Sequence, residues 1–149
     1  MKIREAWEKD LKVLLAFEQD IIQVEKLFDN SLKDETYYYN FPELISSPKT
    51  KVLVAEIENE IVGSGYAEIR KADHFLKHSE FAYLGLMYVK PAHRGKGINK
   101  AILQSLKEWI AEKEITEIRL LVYDENIQAK NAYIKAGFKA HVIEMRMEV

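Results

Sequence analysis

A chain of 149 residues, 48% hydrophobic and 31% charged, has the composition of one globular domain, which excludes a disordered or fibrous protein. Its net charge of −2, with both signs interspersed, gives no general affinity for nucleic acid. Without cysteine it can build no disulfide, no cysteine-ligated metal site and no cysteine-linked intermediate.

Residues 2–6 fit a short first strand, and Leu11, Leu14, Leu15 and Phe17 after Asp10 predict a helix with one apolar side. Ile21, Val24, Leu27 and Phe28 carry the period onward, as a continuation or a restart. From residue 30 to 50 the pattern dissolves into a polar and aromatic segment with Tyr37, Tyr38 and Tyr39 in a row. Asn40 ahead of Pro42 marks one short helix there, and Pro48 closes the segment. A long irregular stretch is a candidate binding loop, and its tyrosines are candidates to line an acceptor pocket.

Residues 52–57 and 61–69 are β-rich and separated by Glu58, Asn59 and Glu60, which predicts a hairpin. Gly63 and Gly65 inside the second run indicate a bulge or a close approach to the backbone. After a polar connection, residues 81–89 are nearly continuous in apolar and aromatic side chains, as in a central strand covered on both faces. Pro91 ends it. Ile98, Ala101, Ile102, Leu106, Trp109 and Ile110 then recur at helical spacing. Residues 118–123 alternate as the next strand, so that strand, helix and strand form a right-handed parallel crossover. Asp124 or Asn126 can cap a last helix carrying Ala129, Ala132, Tyr133 and Ala136 on one side, with Gly137 as its stop. Residues 141–149 are expected to form a final strand, with Val142, Met145 and Met147 among its buried side chains.

The odd feature is how the helix at Ile98 begins. No Ser, Thr, Asp or Asn stands just ahead of Gly97 to accept the free N–H groups. Arg94, Lys96 and Lys100 lie where the helix dipole favours negative charge. A bound phosphate satisfies both conditions, with Gly95 and Gly97 leaving the backbone unobstructed. The string RGKGIN is neither a Walker loop nor the dinucleotide fingerprint. His74, His78, His93 and His141 have no spacing that suggests a metal.

The basic turn, preceded by a buried strand ending in YVKP and followed about one crossover later by NIQAKNAYIKAGF, resembles the GNAT family, the Gcn5-related N-acetyltransferases. The family turn [RQ]xxGx[GA] reads here Arg94, Gly95, Lys96, Gly97, Ile98, Asn99, with Asn99 departing at the last position. A second signature is met by Asn126, Tyr133, Gly137 and Phe138. The resemblance implies a single α/β domain over residues 1–149, with a mixed, largely antiparallel sheet flanked by helices. It implies acetyl-CoA as donor and a primary amine of a small molecule or protein as acceptor. Backbone groups of Met87, Tyr88 and Val89 are then expected to hold the pantetheine arm. Amides of Gly95, Lys96, Gly97, Ile98, Asn99 and Lys100 bind the pyrophosphate. Asn126 touches the cofactor and Tyr133 serves the sulfur as acid.

Direct attack by the amine is expected, with a backbone N–H of the strand ending at Val89 as oxyanion donor. No general base emerges. Positions that carry an acid in some relatives fall here on Tyr83 and Leu121, and Glu68 and Glu80 read as solvated strand residues. A noncatalytic acyl-CoA-binding module of the same fold is the rival reading. No metal, nucleic-acid or membrane partner is expected, a homodimer is left open, and the absence of a signal-peptide core places the chain in the cytoplasm.

Overall fold

A computed structural model describes all 149 residues. The chain opens with β1 (Lys2–Glu5) and, after a 3-10 turn at Glu8–Asp10, enters α1 (Leu11–Glu25). Arg4 ties this corner together, donating to Asp10 Oδ2 at 2.7 Å and to Glu56 Oε2 at 2.9 Å. Asp10 also accepts the Trp7 N–H at 2.8 Å.

The second apolar set continues α1 rather than starting a new helix, but only as far as Glu25. Its buried stripe is Leu14, Phe17, Glu18 and Ile22, whereas Leu15, Val24 and Leu27, expected on the apolar side, are 41%, 46% and 78% exposed. A glutamate can occupy this stripe because Glu18 Oε1 accepts the backbone N–H groups of Tyr38 and Tyr39, each at 2.8 Å. That pair of bonds folds the tyrosine segment back over α1. The segment leads into α2 (Phe41–Ser46), capped by Asn40, whose Oδ1 accepts from Glu43 N at 3.3 Å, with Pro42 in the first turn as anticipated.

Next come β2 (Thr50–Ile57) and β3 (Glu60–Lys71), joined by a two-residue turn in which Glu58 and Asn59 both have positive φ. Such a turn matches the twist of the strands it joins. They are followed by β4 (Glu80–Val89), a 3-10 turn at Pro91–His93, α3 (Ile98–Glu112), β5 (Ile118–Arg119) and α4 (Ile127–Lys135). The sheet order is β1-β2-β3-β4-β5, antiparallel except for the parallel pair β4 and β5 on either side of α3. This is the largely antiparallel α+β architecture expected, with its crossover.

Both faces of the sheet are covered. On one, Ile98, Ile102, Leu106 and Ile110 of α3 pack on Leu53, Val62 and Leu84. On the other, Leu14 and Phe17 of α1 and Phe41 of α2 pack on Val54, Tyr66, Leu86 and Tyr88. Leu84 and Leu86 thus face opposite cores although they are two residues apart. The cause is a β-bulge in β4, where Ser64 pairs with Tyr88 but Tyr66 with Gly85, and Leu86 takes a φ of 52°. The prediction of a bulge or close approach at Gly65 is met on both counts. A Cβ there would lie 2.6 Å from Met87 Sδ.

Two expectations fail. The strand expected over residues 118–123 is paired only at Ile118 and Arg119, opposite Ala82 and Tyr83. The bulge just beyond Tyr83 raises the local twist and carries β4 away from its neighbour. The expected final strand over residues 141–149 is absent, and Val142, Met145 and Met147 are 80–89% exposed. With β5 two residues long, there is no edge for that segment to pair with. It is held instead by Arg146, which meets Asp29 Oδ1 at 3.2 Å.

Candidate active site

The bulge and the short β5 open the sheet on one side. From Leu84 to Val89, β4 has β3 on one edge and no strand on the other. Within this open edge the Leu86 N–H donates to the Tyr39 hydroxyl at 3.3 Å, and the buried Ser64 hydroxyl donates to the Leu86 carbonyl at 2.9 Å. The Val89 carbonyl accepts from Arg94 Nε at 3.0 Å. Met87 turns its side chain toward α3. Tyr88 turns toward α1, its ring 4.5 Å from that of Phe17 and its hydroxyl donating to Asp20 Oδ2 at 2.6 Å. Tyr88 therefore offers a ligand only its backbone.

At the foot of this edge lies the start of α3. Gly95 and Gly97 have φ of 75° and 78°, and Gly97 occupies the cap position with no side-chain hydrogen bond to the first turn. The first backbone bond of the helix runs from Ala101 N to Gly97 O, and none of the amides of Gly95, Lys96, Gly97, Ile98, Asn99 and Lys100 has a protein acceptor. A Cβ on Gly95 or Gly97 would meet nothing within 4 Å. The glycines are required by the left-handed turn, not by crowding. Six free donors at a positive helix end, flanked by the exposed side chains of Lys96 and Lys100, form a cradle with the chemistry to accept an anion.

On the other side of the opening stands α4. Asn126 caps it, its Oδ1 accepting Ala129 N at 3.2 Å, so only its side-chain NH2 remains for a ligand. Tyr133 sits edge-on to Phe138 with ring centroids 5.8 Å apart. Burial, and then the nearby Tyr83 and Glu25, push its hydroxyl up to about 12, so the phenol keeps its proton at neutral pH.

The tyrosine row divides. Tyr37 is 70% exposed. Tyr38 donates to Glu25 Oε2 at 2.6 Å, and Tyr39 lies edge-on to Tyr66 at 5.3 Å. Glu68 is engaged by Arg70, at 2.7 Å. The carboxylate whose charge bears on both Tyr133 and Tyr83 is Glu25, on the last turn of α1, a residue the sequence reading did not single out.

A model of the Acetyltransferase (GNAT) family matches residues 18–138, which takes in the second half of α1, the open edge of β4, the free amides at the start of α3 and α4. The chain belongs to the GNAT family. Among relatives, the bovine thialysine N-epsilon-acetyltransferase is 30% identical, the alignment covering 91% of this chain and 82% of that protein. Two solved structures share the fold. The tetramutant of the BH1408 protein from Bacillus halodurans superposes with a TM-score of 0.88 at 22% identity over all of both chains. A predicted acetyltransferase from Clostridium acetobutylicum, solved with acetyl-CoA, gives 0.76 at 19% identity over 99% of this chain and 95% of that one. The enzyme class that the GNAT resemblance implied, an N-acetyltransferase, is that of the family.

Proposed function

We propose that this enzyme takes acetyl-CoA as donor and moves the acetyl group directly to a primary amine of a small molecule or protein. The observation that carries the reading is the junction of two backbone surfaces, the six free amides before and within the first turn of α3 and the strandless edge of β4 that ends beside them. Acetyl-CoA supplies a diphosphate, a pantetheine arm with amide groups, and a thioester, and each has a fitting counterpart here. The amides of residues 95–100, with Lys96 and Lys100, bind the diphosphate. Backbone groups of Met87, Tyr88 and Val89 line the pantetheine arm, Val89 through its N–H because Arg94 takes its carbonyl. The Asn126 side-chain NH2 adds one contact.

Tyr133, protonated and largely shielded from water, donates its proton to the departing sulfur, while a backbone N–H of β4 stabilises the carbonyl oxygen as it gains charge. The solved acetyl-CoA complex of the Clostridium acetobutylicum relative supports the same donor. A sequence free of cysteine suits a reducing compartment such as the cytoplasm.

Calorimetry with CoA, followed by CoA-release assays with thialysine, spermidine, kanamycin and a peptide with a free amino terminus, tests the proposal. Micromolar CoA binding and turnover with at least one amine is the expected result. Binding without turnover across the panel would mark a noncatalytic acyl-CoA-binding module.

A further inference from the structure

Glu25 is a carboxylate without a cation. It stands on the last turn of α1, its one hydrogen bond is the 2.6 Å contact from the Tyr38 hydroxyl, and no lysine, arginine or histidine pairs with it. Tyr38 lies edge-on to Tyr39 at 5.9 Å, and the Tyr39 hydroxyl accepts the Leu86 N–H at 3.3 Å, so the carboxylate is joined through two tyrosines to the open edge of β4. The negative charge of Glu25 also bears on Tyr83, Tyr123 and Tyr133. Two turns back on the same helix face, Glu18 has a buried Oε2 with no partner, adding negative character to the same side.

Lys26 donates to the Asp34 carbonyl at 2.8 Å, and the arginines that act on the same tyrosines are also committed. Arg70 lies over the Tyr83 ring at 3.8 Å and bonds Glu68, and Arg146, which meets Asp29, acts on Tyr123. Burial raises the Glu25 carboxyl above its ordinary value, with the Tyr38 bond opposing.

A half-buried carboxylate bonded by a tyrosine hydroxyl and lacking a counter-charge is a receptor for an ammonium ion. We infer that Glu25 receives the acceptor's ammonium group and acts as the general base that makes it nucleophilic. The inference rests on the acetyl-transfer reading and supplies the base that no strand provides.

One ammonium proton passes to Glu25. The neutral nitrogen forms the C–N bond to the acetyl carbon as the C–S bond breaks. The sulfur takes the Tyr133 proton, the nitrogen's second proton restores Tyr133, and Glu25 releases its own to solvent. The net products are the amide, CoA thiol and one proton.

The test compares the parent, Glu25→Gln and Tyr38→Phe by CoA release across pH 5.5–9.5, using whichever panel amine the parent turns over fastest, with CoA affinity measured by calorimetry for each. Glu25→Gln is expected to lose about 100-fold in kcat near neutrality with CoA affinity within twofold of the parent, and to recover tenfold per pH unit as the amine itself deprotonates. Tyr38→Phe keeps the carboxylate but removes the bond that opposes burial, and so moves the acid limb of the parent profile to higher pH.

A Glu25→Gln enzyme within threefold of the parent throughout overturns the inference while leaving acetyl transfer standing. So does a Tyr38→Phe enzyme that falls as far as Glu25→Gln with an unmoved profile, because Glu25 would then be bracing the loop. A parent that binds CoA but acetylates none of the amines overturns both.

Discussion

Tyr133 and Gly85 show how differently single residues reach the site. Tyr133 belongs to a sequence signature, and its burial explains why that signature has chemical meaning, since a phenol held near 12 is a proton reserve at neutral pH. Tyr133→Phe is expected to lower kcat about 100-fold, with CoA affinity unchanged by calorimetry. Gly85 carries no such mark. A Cβ there would stand 2.4 Å from Cε1 of Tyr66, whose ring is fully buried and cannot withdraw. Gly85→Ala is expected to cost about 1–3 kcal/mol in urea denaturation, as overpacking does. The reason for that glycine is a ring nineteen positions earlier, so no local pattern could reveal it. Glu25 was hidden for a related reason. At the end of an amphipathic helix it looks like any solvated acid until Tyr38, thirteen residues on, is folded back onto it.

At the scale of elements, α3 sets stability against binding in its first turn. Placing an acid at Asn99 would complement the helix dipole and add about 0.3–1 kcal/mol to stability, while placing negative charge beside the cradle. Asn99→Asp should therefore raise the urea midpoint and weaken CoA binding at least fivefold. Opposite signs in the two measurements are the mark of an end built for an anion, and a variant tighter on both counts would argue against one.

This start was readable in the sequence because caps and glycines act over a few residues. The length of β5 was not, because its end is decided by a bulge in the neighbouring strand. The same cause misled the reading of residues 141–149, whose alternation of Ile143, Met145 and Met147 with Glu144 and Arg146 is a true strand pattern without an edge to join. Helices and the β2–β3 hairpin, governed by their own periodicity, stood where expected.

For the whole molecule, the corner at Arg4 joins the first strand, the first helix and β2, and it sets the response to acid. Burial alone would raise the Asp10 carboxyl, but the Arg4 guanidinium and the Trp7 amide hold it below the ordinary carboxylate value. A depressed folded value stabilises the protein at pH above the unfolded one, and that contribution is lost as pH falls through the folded value. Asp10→Asn should thus unfold with a flatter acid limb below about pH 4 and, by leaving the buried Arg4 with Glu56 as its one carboxylate partner, cost about 2 kcal/mol at neutrality. Urea titrations from pH 2 to 7 measure both. The far end of the chain behaves differently. No backbone hydrogen bond anchors residues 139–149, so limited trypsin is expected to cut after Lys139 before any site in the sheet, as mass spectrometry of early fragments would show.

The extra residue in β4 acts on this molecule as a frameshift acts on a message. Up to Gly85 the odd-numbered side chains look toward α1 and the even ones toward α3; from Leu86 onward the assignment is exchanged. Inserting one further residue between Leu84 and Leu86, with the single bulge kept, would deliver Leu86 and Tyr88 to the wrong side, emptying one core while overfilling the other. The spacing from Phe81 to Val89 is for that reason less free to drift than its composition.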